Sequence, residues 1–358
     1  MEPPYSGLGR RAFWRSGVVD QHPFAIGDLY RKKFSIRESE KIATAGSCFA
    51  QHVASRLREH GFDVLDTEPP PYGIDMETAK QFGFCLYSAR YGNIYTVRQL
   101  LQLIQECRGL RHPAEIVWER GGRYFDALRP SVEPSGFESP ELVLRHRAQH
   151  LDRVRRVFDQ CSLVAFTLGL TETWEQRGDG TVFPTAPGTI AGEYSPSAYR
   201  FRNLSYEENL SDFIELRELL VQQNPDMRFI LTVSPVPLTA TASKDHVLVA
   251  TTRSKAVLRA VAGALSERYD NVDYFPAYEI ISGTQARGIF YESNLRNVSS
   301  VGVDCVMSVF FSEHGEQSSH KDQTHEDGQI PVPPGPTNRE RQSQKEYCEE
   351  LLLDAFRP

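Results

Sequence analysis

Residues 42–62 read IATAGSCFAQHVASRLREHGF and predict a buried strand that turns sharply into an amphipathic helix. The apolar run Ile42–Ala45 is typical of a short buried strand, and Gly46 supplies the backbone freedom that a tight turn needs. The helix is indicated by apolar residues near helical spacing, at Phe49, Val53, Leu57 and Phe62. Ser47 therefore lies where the strand ends and the helix begins.

The position of Ser47 allows two roles. The first amide N–H groups of a helix lack intrahelical partners, and together with the helix dipole they favour negative charge. A hydroxyl there is placed to bind an oxyanion or to become an alkoxide. The alternative is ordinary helix capping, because serine is among the preferred N-cap residues. Cys48 also has two interpretations, as a thiol activated by the helix N-terminus or as a small buried residue.

The composition restricts the class of protein. The 358 residues carry 40 Lys and Arg against 47 Asp and Glu, a net charge of −7, which argues against a nucleic-acid-binding surface. No apolar run approaches the length of a membrane span, and the first residues lack a signal-peptide core, so a cytoplasmic location is expected. The six cysteines are scattered without CxxC pairs, which predicts reduced thiols and neither a disulfide framework nor a zinc site.

Strand-like and helix-like segments alternate beyond residue 62. Apolar runs predict further strands at 162–168, 228–233 and 272–275. Periodic apolar residues predict helices at 96–107, 141–160, 205–223, 247–269 and 301–311. Glycine-containing turns predict hairpin insertions at 118–125 and 174–183. The fold class is therefore α/β, a three-layer α/β/α sandwich with a central parallel sheet.

Changes in composition predict four segments. Residues 1–40 form an N-terminal arm, and residues 41–311 form the α/β domain. Residues 312–346 are polar and rich in proline and glycine, so they cannot bury a core and are expected to be disordered. Residues 347–358 contain an apolar cluster that predicts a short C-terminal helix.

The stretch Gly46–Ala50 spells GSCFA, and the chain resembles the GSCFA family, a branch of the SGNH/GDSL hydrolase-like superfamily. Further motifs fit the same family and together span roughly residues 4–311: AFWR at 12–15, YGNIY at 91–95, TLGLTE at 167–172 and TVSPVPL at 232–238. The resemblance implies a flavodoxin-like α/β/α sandwich. It also implies that the nucleophile is the serine of the Gly-x-Ser turn after the first strand, here Ser47.

Several polar residues follow predicted strands directly. In an open parallel sheet, ligands collect at the carboxyl ends of the strands. Ser47 lies at one such end, Thr171 and Glu172 follow the strand that ends at Leu168, and Ser234 follows another. Because these ends share one edge of the sheet, the pattern favours a site around Ser47 over simple capping.

The resemblance also implies donors for an oxyanion. They are the amide of Ser47, a glycine in a second block, and an asparagine in a GxND block. Gly92 fits the second block, with Asn93 beside it, although Gly73 is an alternative and Gly92–Asn93 also fits a plain turn before the next helix. The GxND block corresponds to Gly169–Glu172, in which Thr171 replaces the asparagine and presents a hydroxyl donor instead.

The general base is where this chain departs from the superfamily. The DxxH motif of the superfamily corresponds to residues 291–298, where Asn294 and Asn297 occupy the Asp and His positions. An amide cannot act as a general base, so Asn294 is assigned only to substrate binding. His246 is the candidate substitute, oriented by Glu172 or Asp245, although a histidine at a helix start is often only a surface residue.

These observations predict a serine acyl hydrolase or O-acyltransferase of SGNH type that acts on an ester of a small polar or carbohydrate substrate. Ser47, His246 and Glu172 are its candidate catalytic residues. Gly92, Asn93, Thr171 and Asn294 are its candidate oxyanion- or substrate-binding residues. Neither a cofactor nor a metal is implied, and a transferase would need an acyl donor. The alternative is a catalytically degenerate domain that binds a ligand or a partner protein.

Overall fold

The computed structural model describes residues 3–315, 352, 353 and 356. The predicted disordered segment beyond residue 315, and the predicted helix at 347–358 apart from residues 352, 353 and 356, lie outside these residues. None of the described helices is long and apolar enough to cross a membrane.

The described residues divide into two compact units, residues 3–36 with 275–315, and residues 37–274 with 352, 353 and 356. This division differs from the predicted boundaries at 40 and 311. The N-terminal arm and the last part of the predicted domain belong to one unit, and the sheet belongs to the other.

Helices and strands alternate along the chain. The strands are β1 (Ile42–Gly46), β2 (Val117–Arg120), β3 (Arg123–Asp126), β4 (Leu163–Leu168), β5 (Glu172–Gln176), β6 (Val182–Phe183), β7 (Tyr199–Asn203), β8 (Arg228–Val233) and β9 (Val272–Tyr274). The helices are α1 (Cys48–Glu59), α2 (Met76–Gln81), α3 (Val97–Cys107), α4 (Pro140–Gln160), α5 (Tyr206–Gln223), α6 (Val247–Arg268), α7 (Ala277–Ser282) and α8 (Ser300–His314). The predicted final helix thus extends three residues beyond its expected end at residue 311.

The unit of residues 37–274 is built on a parallel sheet in the order β1-β4-β8-β9. Every residue of β1 is buried, as a strand covered on both faces requires. Helices α4, α3, α5 and α6 pack side by side in that order, and α1 packs against β1 and β4. This arrangement confirms the predicted α/β/α sandwich with a central parallel sheet.

Both predicted hairpins are confirmed. β2 pairs antiparallel with β3, and β5 pairs antiparallel with β6. β7 adds to the other edge of β5. Trp118, Phe183 and Tyr199 from these strands share one buried apolar cluster, which explains why the insertions are rich in aromatic residues.

The unit of residues 3–36 and 275–315 contains α7 and α8. The ring of Tyr30 packs edge-on against Phe275, and its hydroxyl lies 2.8 Å from His314 Nε2. Phe24 packs edge-on against Phe290. These contacts hold the N-terminal arm within its unit, whereas Trp14 is 68% exposed.

Candidate active site

Ser47 occupies the N-cap position of α1 but does not cap it. Its Oγ makes no capping bond and has no hydrogen-bond partner among the described residues. The other Ser, Thr and Asp residues at helix N-caps all accept such a bond, namely Asp75, Thr96, Ser139, Ser205 and Ser299. Ser47 is only 5% exposed, and leaving a buried hydroxyl unpaired costs about 1–3 kcal/mol. The capping role that the sequence also allowed is therefore not adopted.

Two glycines determine the surroundings of Ser47. Gly46 has a φ of +143°, a backbone conformation that residues other than glycine rarely adopt. Gly169, just after β4, lies directly against the serine. A Cβ at Gly169 would be 3.0 Å from the Ser47 Cβ and 3.2 Å from its Oγ. The ends of β1 and β4 thus bring the GSCFA motif at 46–50 against the TLGLTE motif at 167–172.

Asn93 is held beside the Ser47 turn. The Tyr87 hydroxyl donates to Asn93 Oδ1 at 2.5 Å and also lies 3.3 Å from the Ser47 carbonyl oxygen. Gln51 Nε2 approaches the same Oδ1 at 3.3 Å. Because both neighbours donate to the oxygen, they fix the amide so that Nδ2 is its donor end. Asn93 is therefore a buried amide of fixed orientation, linked through Tyr87 to the Ser47 turn.

The second-block glycine and its alternative have different environments. Gly92 is buried with a φ of +70°, so this turn needs glycine. Gly73 is exposed, and a Cβ there would meet nothing within 4 Å. The segment after Gly92 joins the site directly, since the Ile94 amide donates to the Gly46 carbonyl at 2.9 Å.

Thr171 follows Gly169 but directs its groups away from Ser47. Its hydroxyl donates to Asn203 Oδ1 at 2.7 Å, and its amide donates to Ser254 Oγ at 3.0 Å. A threonine hydroxyl has a single proton. In this arrangement that proton is used within the β5–β7 sheet, which leaves Asn93 as the better-placed side-chain donor.

Lys255 is a site residue that the sequence interpretation missed. It lies on α6, is 1% exposed, and its Nζ donates to the Gly169 carbonyl at 2.7 Å. In the sequence it resembles an ordinary surface lysine, but it shares helical spacing with Leu258, Ala262 and Leu265, which are buried. That spacing placed Lys255 on the buried face of the helix and was the available signal.

The side chains of His246 and Glu172 make their hydrogen bonds to groups other than Ser47. His246 is exposed at the N-cap of α6, where its Nδ1 accepts from the Leu248 amide at 3.2 Å. Glu172 accepts from the Thr241 hydroxyl at 2.8 Å, and burial raises the pKa of its carboxyl. Within the described chain, neither side chain bonds to the other or to Ser47.

Asn294 and Asn297 belong to the other unit. Asn294 Oδ1 accepts from the amides of Arg296 and Asn297, at 3.0 and 2.9 Å. The turn is closed by an antiparallel bridge between Tyr291 and Val298. Asn294 thus has a local role in shaping this loop, and neither asparagine is a base.

The unit of residues 37–274 therefore brings four groups together at the carboxyl edge of the sheet. They are the Ser47 hydroxyl, the Gly169 backbone, the Asn93 amide and the buried Lys255 ammonium. Negative charge at position 47 would lie at the positive end of the α1 dipole, with the Asn93 side chain held beside the same turn. In the described part of the chain, no group of three or more His, Cys, Asp or Glu is arranged to hold a metal ion.

Comparison with known proteins gives one match. The family profile described as GSCFA family matches residues 41–310, which include every residue of this site. No curated protein matches the chain.

Proposed function

We propose, from the premise that this chain belongs to the GSCFA family, that it is an acyl-handling enzyme of SGNH type. Ser47 is its nucleophile, and its substrate is an ester of a small polar or carbohydrate molecule. The observation that carries the proposal is the uncapped Ser47 hydroxyl. A buried, unpaired hydroxyl at a helix N-terminus has a stability cost that a reactive role explains.

The reaction follows from the positions of these groups. Ser47 Oγ attacks the acyl carbonyl, and the carbonyl oxygen becomes an oxyanion stabilised by the α1 amides and Asn93 Nδ2. The bond to the leaving alcohol then breaks as the proton taken from Ser47 passes to the alcohol oxygen, leaving an acyl group on Ser47. Water completes a hydrolysis, and another hydroxyl completes a transfer. Tyr95, Leu170, Leu238 and Ala250 form an apolar cluster beside Gly169 that suits the acyl part of the substrate.

Two features of this geometry require movement during the reaction. Ser47 Oγ exposes less than 1 Å², so a substrate reaches it only after the site opens. His246 accepts the serine proton only if the segment before α6 approaches Ser47. Glu172, three residues after Gly169, would orient the imidazole.

Steady-state hydrolysis of p-nitrophenyl esters tests the proposal. The wild-type protein should hydrolyse at least one member of a series from acetate to octanoate, and Ser47→Ala should lower kcat/KM by about 1,000-fold or more. His60→Ala, an exposed histidine at the end of α1, serves as the matched control and should retain the wild-type rate. Equal rates for the wild-type protein and Ser47→Ala would reject Ser47 as the nucleophile.

The second candidate is a degenerate SGNH-like domain that binds a ligand without turnover. Among the residues that the structure describes, no imidazole or other group is a hydrogen-bond partner of Ser47 Oγ, which favours this alternative. It predicts that esters or their acid products raise the melting temperature while no p-nitrophenol is released. Thermal melts and product release in the same samples separate the two functions.

A further inference from the structure

We propose that Lys255 is a positioning residue of the Ser47 site, whose buried ammonium stabilises negative charge on the side chain at position 47. The proposal deepens the proposed function and rests on it. It assigns the cation of the site to α6, a helix for which the family motifs give no role.

The burial of Lys255 is the first observation. The residue is 1% exposed, and lysine is among the residues least often fully buried in proteins. Moving an ammonium group out of water is costly, so a buried lysine is retained where its charge has a use. Its ammonium donates at 2.7 Å to a carbonyl oxygen, which orients the Nζ toward the segment after β4.

The identity of that carbonyl is the second observation. It belongs to Gly169, the residue whose missing side chain makes room for Ser47. The neighbouring Ser254 accepts the Thr171 amide at 3.0 Å, so two consecutive residues of α6 fix the Gly169–Thr171 segment. Lys255 therefore fixes the Gly169 backbone and also brings a positive charge close to it.

Standard bond lengths limit the separation of the two groups. Ser47 Oγ lies 3.2 Å from the position of a Gly169 Cβ, and therefore within about 5 Å of the Gly169 Cα. Lys255 Nζ lies 2.7 Å from the Gly169 oxygen, and so also within about 5 Å of that Cα. The two groups are thus no more than about 10 Å apart. At this distance, an opposite charge in a protein interior changes a proton affinity by about tenfold.

The role of the ammonium differs from that of a base. As Ser47 reacts, its O–H bond breaks and an Oγ–C bond forms with the acyl carbon, while the proton passes to a base. The ammonium of Lys255 keeps its three protons throughout and stabilises the negative charge that develops. The ionisable groups near position 47 include Cys48 and Tyr87, and those farther along this edge include Glu172, Asp245, His246 and Arg253. The measurement therefore has to isolate the Lys255 charge.

A cysteine at position 47 measures this charge effect without requiring turnover. The pH profile of iodoacetamide alkylation at that cysteine, read by peptide mass spectrometry, gives the thiolate midpoint in Ser47→Cys. Adding Lys255→Met should raise the midpoint by about one pH unit, which corresponds to about tenfold less thiolate. The midpoint is compared rather than the absolute rate, because burial slows alkylation in every variant.

Two controls separate charge from packing. Ser47→Cys with Lys255→Arg retains the charge and should keep the original midpoint. Ser47→Cys with Lys244→Met removes an exposed charge just before α6 and should also keep it. Lys255→Gln provides a second neutral variant if Lys255→Met does not give a cooperative melt.

The result distinguishes this inference from the proposed function. A midpoint that is unchanged in both neutral variants overturns the role of Lys255, even if Ser47 hydrolyses esters. A raised midpoint in a protein without ester hydrolysis supports the charge effect, while the proposed function fails on the separate hydrolysis measurement.

Discussion

Replacing Gly46 by alanine should destabilise the protein by about 4 kcal/mol or more, the largest stability effect that we expect from a single methyl group. The residue has a φ of +143°, where an L side chain is strained. Its Cβ would also lie 2.6 Å from the Thr167 carbonyl oxygen and 2.7 Å from the Thr167 Cβ. Thr167 is the register partner of Gly46, so relief would require β1 and β4 to separate.

Gly121→Ala is the matched control for Gly46→Ala. Gly121 also has a positive φ, +59°, but a Cβ there would meet nothing within 4 Å. The Gly121→Ala substitution should therefore lower the free energy of unfolding by only about 1 kcal/mol, the cost of the left-handed conformation. Soluble yield and urea unfolding of both variants provide the comparison. A Gly46→Ala protein as stable as Gly121→Ala would show that the turn before Ser47 is not constrained as described.

Gly169→Ala should lower the reactivity of Ser47 by about 100-fold, the second large effect that we expect. The added methyl group would stand 3.0 Å from both the Ser47 Cβ and the Tyr95 carbonyl oxygen. One of them has to move, and Tyr95 is restrained because its carbonyl accepts the amides of Gly169 and Leu170. The serine is therefore displaced, at a stability cost of about 1–3 kcal/mol.

Gly263→Ala provides the control for that substitution. Gly263 lies within α6, and a Cβ there would meet only the end of the long Arg259 side chain, at 2.9 Å. We expect unchanged Ser47 reactivity and up to about 1 kcal/mol of added stability, because alanine favours the helix. Ester hydrolysis and thermal melts of the two variants give both quantities. Full activity in a folded Gly169→Ala protein would contradict the contact between Gly169 and Ser47.

Most of the fold could be predicted from local patterns. The apolar runs that became β4 and β8 are buried, so their composition reports their position directly. Capping residues mark helix starts as well, as the capping box of Ser205 and Glu208 does at α5. Such features depend on residues that are close in the chain.

The site could be predicted only in part, because its contacts join distant segments. The sequence indicated that Ser47 and the residues after β4, Thr171 and Glu172, lie at one edge of the sheet, since parallel strand ends share an edge. It did not indicate that Ser47 leaves its capping bond unmade, because that depends on the side-chain conformation. Nor did it indicate that Tyr87 fixes Asn93, or that Lys255 reaches Gly169 from another helix.

The central claim is that Ser47 is a reactive nucleophile, and fluorophosphonate labelling of the folded protein tests it most directly. Intact mass and peptide mapping should show a single adduct on Ser47, absent from Ser47→Ala and from heat-denatured protein. Because the hydroxyl is buried, labelling should follow the opening of the site and be slower than for an exposed serine. An adduct on another residue, or no adduct on Ser47 in protein with an intact melting transition, would contradict the claim.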